Sequence, residues 1–206
     1  SVGTLHATLH ESGAAVLPVE DELVEAVQSS GLLHVDETSW RELNTLLWLW
    51  VFCGQGVVVY WIAGRGSELL INVLGSAFQG WLMSDGWQVY RYYRKRLRCW
   101  AHLIRKAEGL KDSLDKTSCL FGEQTLVLLN TLIKAVYAVR ERPPDQALAI
   151  TYQGALSDYR CACEAISAST THTKARALAR EMLNDWDAIF QVLAHPQRLN
   201  RPYVIG

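Results

Sequence analysis

The chain has 206 residues, half of them hydrophobic, and a formal net charge of -1. This length corresponds to one domain, or to one domain with a large insertion, and the composition is sufficient for a buried core. The near-neutral charge excludes a uniformly basic nucleic-acid-binding protein, so any contact with DNA must come from a local basic patch.

Cysteine usage and hydropathy favour a reduced, cytosolic protein. Five cysteines lie in apolar or helical stretches without the regular spacing of a disulfide framework. No membrane span is predicted, because the longest apolar stretch, residues 46–63, is interrupted by Gly-Gln-Gly and fits two strands and a turn better. The chain begins at Ser1 without an initiator methionine or a basic leader, so we expect it to be part of a longer protein.

The first elements predicted along the chain are a helix and three strands. Residues 1–30 are predicted to form a helical lead-in, since Leu23 and Val27 lie on one helical face. Three runs rich in β-branched and aromatic residues follow and predict three antiparallel strands joined by tight turns. Ser67 is predicted to cap a helix that ends near Gly75, and a strand over about residues 81–84 comes next.

The order of these elements predicts the fold class. After the fourth strand we expect a short helix and then another strand or helix start at RLRCWA, which gives the order β-β-β-α-β-α-β. A three-stranded antiparallel meander followed by further strands is the layout of a ribonuclease-H-like mixed sheet in an α/β domain. We assign residues 31–102 to this core. Residues 103–195 show helical periodicity and are predicted to form a large all-helical insertion packed beside the sheet.

Two aspartates predict the chemistry. Asp36 and Asp85 end the first and fourth predicted strands, and if these strands are neighbours the two carboxylates repel each other unless a cation neutralises them. Mg²⁺ and Mn²⁺ prefer oxygen ligands and, in pairs, hold phosphate oxygens for in-line attack. The alternative for either aspartate alone is a turn or capping role. Glu37 should point to the opposite sheet face, so we do not assign it as a ligand.

Cysteine and histidine supply a second candidate cluster. Cys99 and His102 have a spacing compatible with zinc, but no second ligand pair lies nearby in the sequence. We therefore favour core packing for Cys99 and an active-site hydrogen bond for His102. Cys161 and Cys163 are predicted to be packing residues on different sides of a helix.

A basic segment, RYYRKRLR at residues 91–98, is the candidate for DNA binding. Its cations would neutralise phosphates, and Tyr92 or Tyr93 would stack on an unpaired base. A solvated helix face with buried tyrosines is the alternative. Trp40 and Trp87, close to the two acids in sequence, are candidates to line a DNA groove. The predicted DNA contacts are Arg91, Arg94, Lys95, Arg96, Arg98, Arg105 and Lys106.

Five segments, SVGTL, HVDETSW, SDGWQVY, CWAHLIRKAEGL and NDWDAIFQVLAHPQ, together resemble the insertion sequence 66 family of bacterial DDE transposases over nearly the whole chain. The resemblance implies a ribonuclease-H-like catalytic domain that cuts and joins DNA at element ends. It implies Asp36 and Asp85 as the first two acidic ligands of Mg²⁺ or Mn²⁺. Cys99 and His102 match a Cys-x-x-His element near the second aspartate. A cytoplasmic, nucleoid-associated protein that forms a homo-oligomer or binds other transposase subunits is expected, without membrane contact.

The third acid departs from the family pattern. In the family it is a glutamate in an Asn-Asn-x-Ala-Glu-Arg segment ahead of an Arg-Pro-x-Val-Ile stretch, whereas here HPQRLN runs directly into RPYVIG. We therefore interpret residues 196–206 as a truncated C-terminal segment, and Glu181 does not match the missing position. A chain without one of three metal ligands is expected to be a poor or inactive catalyst. The alternatives are a non-enzymatic remnant that binds DNA or another transposase subunit, and a cellular nuclease of the same fold.

Overall fold

The computed structural model describes residues 1–139 and 146–196, and the chain divides into two compact units, with the boundary in the chain between Arg96 and Leu97. The first unit contains four strands and the first residue of a fifth, and the second unit is otherwise helical. Apart from Pro196, the predicted truncated segment lies outside the described residues.

The first unit opens with one helix that covers nearly all of the predicted lead-in. Helix α1 (Val2–Gln28) has 27 residues with Pro18 inside, and Val27 is its buried residue. The predicted antiparallel meander follows and is confirmed. Gly56, in the second turn of the meander, has a φ of 79°, a backbone conformation that glycine adopts without steric cost. The strands of the meander are β1 (Leu32–Glu42), β2 (Thr45–Cys53) and β3 (Val58–Ala63).

A parallel pair extends the meander into a mixed sheet. Strand β4 (Trp81–Ser84) runs parallel to β1, and the sheet has the order β3-β2-β1-β4-β5, with β5 at Arg96–Arg98. Helix α2 (Ser67–Leu74) lies between β3 and β4 in the chain and ends before Gly75, as predicted. Its N-cap is Gly66 and not Ser67, because Ser67 is already the first helical residue.

One face of the meander carries the core of the first unit. Alternate residues of the three strands pair in rows across this face, as in Val35, Phe52 and Val59. A 3-10 helix (Gln88–Tyr92) contributes Tyr90 to the same cluster. The remaining buried members are Val27, Leu33, Trp50, Val57, Leu70, Val73, Leu74, Leu82 and Tyr93.

The second unit consists of helices. Within the predicted all-helical stretch, residues 173–193 have the periodicity of one helix, but the structure has two helices and a final 3-10 turn there, with a break at Asp185, where φ is -113°. The Pro-Pro pair at residues 143–144 predicts a new helix from Asp145, a residue that lies outside the described ones, and the following helices begin at Leu148. The helices are α3 (Trp100–Lys111), α4 (Lys116–Val139), α5 (Leu148–Thr151), α6 (Gln153–Ser169), α7 (Thr173–Asn184) and α8 (Trp186–Phe190).

Helix α4 is the central apolar helix of this unit. Asp115 caps it, since an Asp115 carboxylate oxygen accepts a hydrogen bond from the backbone N–H of Ser118 at 2.8 Å. Among the described residues α4 alone is long and apolar enough to cross a membrane, a test that core helices of soluble proteins also pass. Its residues Phe121, Leu129 and Leu132 are buried in the unit.

Candidate active site

The two predicted acids lie just beyond the paired part of the parallel strands. Leu32 pairs with Trp81 and His34 with Met83. Asp36 lies two residues further along β1, and Asp85 directly follows the last residue of β4. Continued by two residues, the same register would bring Asp36 level with Asp85, and residues at the same level of a parallel pair point to the same sheet face.

Backbone amides orient both carboxylates. Oδ1 of Asp36 accepts a hydrogen bond from the N–H of Glu37 at 3.0 Å, and Oδ1 of Asp85 accepts one from the N–H of Trp87 at 2.8 Å. Burial, followed by the charges of Glu37, Asp85 and Asp36, raises the pKa of Tyr90.

Glu37 lies on the core face of the sheet, opposite to Asp36, as predicted. It is level with Trp50 and Trp61 in the strand register, and its side chain is only 1% exposed. One carboxylate oxygen accepts hydrogen bonds from Arg65, and the other accepts one from the hydroxyl of Tyr90 at 2.5 Å. Burial is the main reason that the pKa of Glu37 is raised, although both hydrogen-bond donors act to lower it.

Arg65 lies between two aromatic rings. Its guanidinium carbon is 4.2 Å from the ring centre of Trp48 and 4.6 Å from that of Trp87, and Nη2 is 3.0 Å from Glu37. The sequence analysis missed this residue, because Arg65 follows β3 in a Gly-Arg-Gly turn and no spacing rule connects it with Glu37. Trp87 therefore packs against Arg65 in a cluster. The sequence analysis had predicted that Trp87 lines a DNA groove. Trp40 is 43% exposed.

The fit of this site to a metal ion rests on two carboxylates. Within residues 1–139 and 146–196, no group of three or more His, Cys, Asp or Glu side chains is arranged to hold a metal ion. Two level carboxylates on one sheet face fit a hard divalent cation that keeps several water ligands. They do not form a complete cage from protein groups alone.

Cys99 and His102 belong to the second unit. Cys99 immediately precedes α3 and His102 lies in its first turn, and both residues are half-buried. Their predicted support of the active site stays a prediction, as does zinc binding. Of the other pair, Cys163 is buried and Cys161 is exposed, so the two side chains do face different sides of α6.

The structure divides the predicted basic patch. Arg91, Arg94 and Lys95 are exposed in the first unit, and Arg96 is half-buried. Arg105 is exposed in the second unit. Tyr92 is 60% exposed, whereas Tyr93 is buried and donates its hydroxyl to backbone oxygens of α2 and Gly75. Of the two tyrosines, Tyr92 is therefore the one placed to stack on a base.

The prediction that Arg98 contacts DNA is wrong. Arg98 is 1% exposed, and its guanidinium donates hydrogen bonds to the carboxylates of Asp185 and Glu181 in the second unit. Lys106 also pairs with Glu181 at 2.7 Å, so its charge is already partly compensated. Burial acts to raise the pKa of Glu181, but the hydrogen bonds from Lys106 and Arg98 outweigh it and leave this pKa lowered.

A shallow groove of about 290 Å³ lies next to the exposed cations of the first unit. Phe78 and Tyr93 pack edge to face within its lining, with ring centres 6.0 Å apart. Lys95 donates a hydrogen bond across the groove to the backbone oxygen of Gln79. The other lining residues are Ser76, Gly80, Tyr92 and Arg94.

These features define an α/β protein with a five-stranded mixed sheet, in which β1 and β4 are parallel neighbours. Residues 1–198 match the family model described as Transposase IS66 family. The chain therefore belongs to this family, and the resemblance drawn from its motifs is confirmed. No curated protein and no solved structure matches the chain.

Proposed function

We propose that this chain is the catalytic domain of a DNA transposase with a ribonuclease-H-like sheet, in which Asp36 and Asp85 hold a divalent cation. The proposal is supported by the parallel pairing of β1, which contains Asp36, with β4, which Asp85 directly follows, in a chain of a transposase family. Its substrate would be DNA at the element ends, and it would act in the bacterial cytoplasm, at the nucleoid.

The role of the chain's own residues follows from charge. Two carboxylates on one sheet face repel each other, and a cation between them removes that penalty. A bound Mg²⁺ or Mn²⁺ supplies Lewis-acid activation of water or a DNA 3′-hydroxyl and stabilises the leaving oxygen. The backbone amides of Glu37 and Trp87 hold one oxygen of each aspartate and thereby orient both ligands.

The chain as given supplies two of the three acids expected from its family. The junction of HPQRLN and RPYVIG, where the acidic segment is missing, lies outside the described residues from residue 197 onward. We propose that two carboxylates retain cation binding but support strand cleavage poorly, because the charge that develops in phosphoryl transfer lacks part of its stabilisation.

A manganese titration of the intact chain tests the site. Asp36→Ala or Asp85→Ala removes one of two anionic ligands, and we expect the Mn²⁺ Kd to rise at least about tenfold, as for loss of a group that supports a metal site. Asp158→Ala, an exposed aspartate of the second unit, is the matched control and should leave the Kd unchanged. Equal Kd values for all three variants would remove Asp36 and Asp85 from the proposal.

The same variants serve in a strand-cleavage assay. We expect little Mg²⁺- or Mn²⁺-dependent cutting by the chain as given. Efficient cutting that disappears in Asp36→Ala would contradict the proposed loss of activity and would show that the two acids suffice.

A non-enzymatic DNA-binding remnant is the second candidate function. It is supported by exposed Arg91, Arg94 and Lys95 beside exposed Tyr92, a set of side chains that needs no metal. Such a remnant would act by occupying DNA or by associating with another transposase subunit.

A further inference from the structure

We infer that Arg65 is a positioning residue that fixes the separation of Asp36 and Asp85 and thereby sets their affinity for a divalent cation. The inference rests on the proposed function, because it presupposes that the two carboxylates bind a cation. Arg65 donates its hydrogen bonds to the side chain of Glu37, which lies on the sheet face opposite to Asp36. It is therefore not a ligand of the cation.

The first step is that each aspartate accepts a hydrogen bond from a backbone N–H one or two residues later in the chain. The N–H of Glu37 donates to Asp36 at 3.0 Å, and the N–H of Trp87 donates to Asp85 at 2.8 Å. A shift of Glu37 or Trp87 therefore moves a carboxylate.

The second step is that Arg65 ties these two neighbours together. Its Nη2 and Nε lie 3.0 and 3.3 Å from Oε1 of Glu37, and its guanidinium stacks on the ring of Trp87. The guanidinium carbon also lies 4.2 Å from the ring centre of Trp48. A planar group with several N–H donors is suited to make in-plane hydrogen bonds and stack on both faces at the same time, and an ammonium group is not.

Tyr90 also contacts both Glu37 and Trp87. Its hydroxyl donates to the second oxygen of Glu37, and its ring packs edge to face on Trp87 at 6.0 Å between ring centres. The residues beside both acids thus form one connected cluster on the core face of the sheet. Asp36 points to the other face, because side chains alternate along β1.

Asp36 and Asp85 carry like charges and repel each other, so their positions must be fixed by other groups. Asp36 lies within β1, whereas Asp85 follows the last residue of β4, so only the backbone around Asp85 is free of the strand ladder and able to retreat from its neighbour. Metal affinity depends on ligand positions to within about 0.5 Å. Groups that orient ligands from outside the coordination sphere change metal affinity by about 10- to 100-fold.

The experiment measures Mn²⁺ affinity and stability together, on the intact chain. Arg65→Ala should raise the Mn²⁺ Kd about tenfold or more, in the range found for groups that orient metal ligands. Because this change leaves the buried Glu37 without its cation, Arg65→Lys is the second variant. It retains the positive charge and the fold, and it should still weaken Mn²⁺ binding, since a lysine makes neither the paired hydrogen bonds nor both stacking contacts.

Arg160→Ala is the matched control. Arg160 also lies over a tryptophan, Trp186, and pairs with Glu164, but it belongs to the second unit. This variant should leave the Kd unchanged. A purely structural role of Arg65 would lower the thermal unfolding midpoint of both Arg65 variants without changing Kd, and that result would overturn the inference.

The failure of the inference is distinguishable from failure of the proposed function. If the chain binds Mn²⁺ and Asp36→Ala abolishes binding, unchanged affinity in folded Arg65→Lys rejects Arg65 alone. If the unmodified chain binds no Mn²⁺, the proposed metal site is rejected and the role of Arg65 is rejected with it.

Discussion

Two buried carboxylates in this chain, Glu37 and Asp185, are each paired with an arginine, but the two arginines differ in exposure. The side chain of Arg65 is 38% exposed, whereas that of Arg98 is fully buried. A buried ion pair contributes little net free energy, because desolvation offsets the attraction, but removal of one partner leaves an uncompensated charge. Arg98 is therefore the more sensitive position.

We expect Arg98→Met to lower the free energy of unfolding by about 3–5 kcal/mol, the usual cost of breaking a buried ion pair. The change removes the guanidinium of Arg98 from the buried carboxylate of Asp185 and takes one of two cationic partners from Glu181. Urea unfolding at neutral pH measures the effect.

Arg160→Met is the control for this prediction. Its pair with Glu164 is about half-exposed on both sides, and exposed pairs contribute roughly 0–1 kcal/mol. A loss of similar size in the two variants would show that the cost at Arg98 comes from lost packing by the arginine chain rather than from the buried carboxylates.

At the scale of elements, the contact between α3 and α4 depends on a glycine. A Cβ at Gly122 of α4 would lie 2.7 Å from the backbone oxygen of Ala107 and 2.8 Å from the backbone nitrogen of Lys111, both in α3. These are backbone atoms, so a side chain is accommodated only if the two helices move apart. Close helix packing here requires the absence of a side chain.

We expect Gly122→Ala to destabilise the protein by about 1–3 kcal/mol, the range for overpacking in a well-packed core. Gly109→Ala in α3 is the opposite case, because nothing lies within 4 Å of its added Cβ. That variant should gain up to about 1 kcal/mol from better helix propensity. Thermal unfolding of both variants checks the pair, and a stabilised Gly122→Ala would contradict the close approach of α3 to α4.

The elements that could be predicted from the sequence are those with local signals. The three antiparallel strands follow from β-branched and aromatic runs separated by turn residues, and β4 with Asp85 follows from a short apolar run before a turn. That β1 and β4 are neighbours, and the register of their pairing, did not follow from these local signals.

The contacts that could not be predicted join residues far apart in the chain. Arg98 was assigned to a DNA patch because it ends a basic run, yet its acceptors lie 87 and 83 residues away. The break of the predicted last helix at Asp185 has no glycine or proline to mark it. Arg65 was missed for a similar reason, since Glu37 lies 28 residues before it.

At the scale of the whole molecule, a net charge of -1 conceals an uneven distribution. Helix α1 carries five acidic residues and neither lysine nor arginine, whereas Arg91, Arg94 and Lys95 form a short exposed basic segment. The field of the whole chain therefore does not attract DNA, and binding must depend on a few phosphate contacts. We therefore expect DNA affinity to depend strongly on those few residues.

We expect the double variant Arg94→Ala and Lys95→Ala to weaken DNA binding and to reduce the slope of log K against log salt by about 2, because each lost phosphate contact removes roughly 0.9 released counterion on duplex DNA. Fluorescence anisotropy in EDTA measures this without any contribution from metal at Asp36 and Asp85. Arg41→Ala, an exposed arginine of β1, is the control.

Two tyrosine variants distinguish base stacking from charge as the source of DNA affinity. Tyr92→Leu should weaken binding to single-stranded DNA by at least about fivefold, since stacking on an aromatic residue contributes roughly 1–3 kcal/mol per base. Tyr60→Leu is the matched control, because Tyr60 is 62% exposed and Tyr92 is 60% exposed. No loss in Tyr92→Leu would leave charge alone as the source of DNA affinity, and equal loss in the two variants would contradict a specific role for Tyr92. A loss confined to Tyr92 would locate the single strand beside Arg94 and Lys95, in the groove that these residues line.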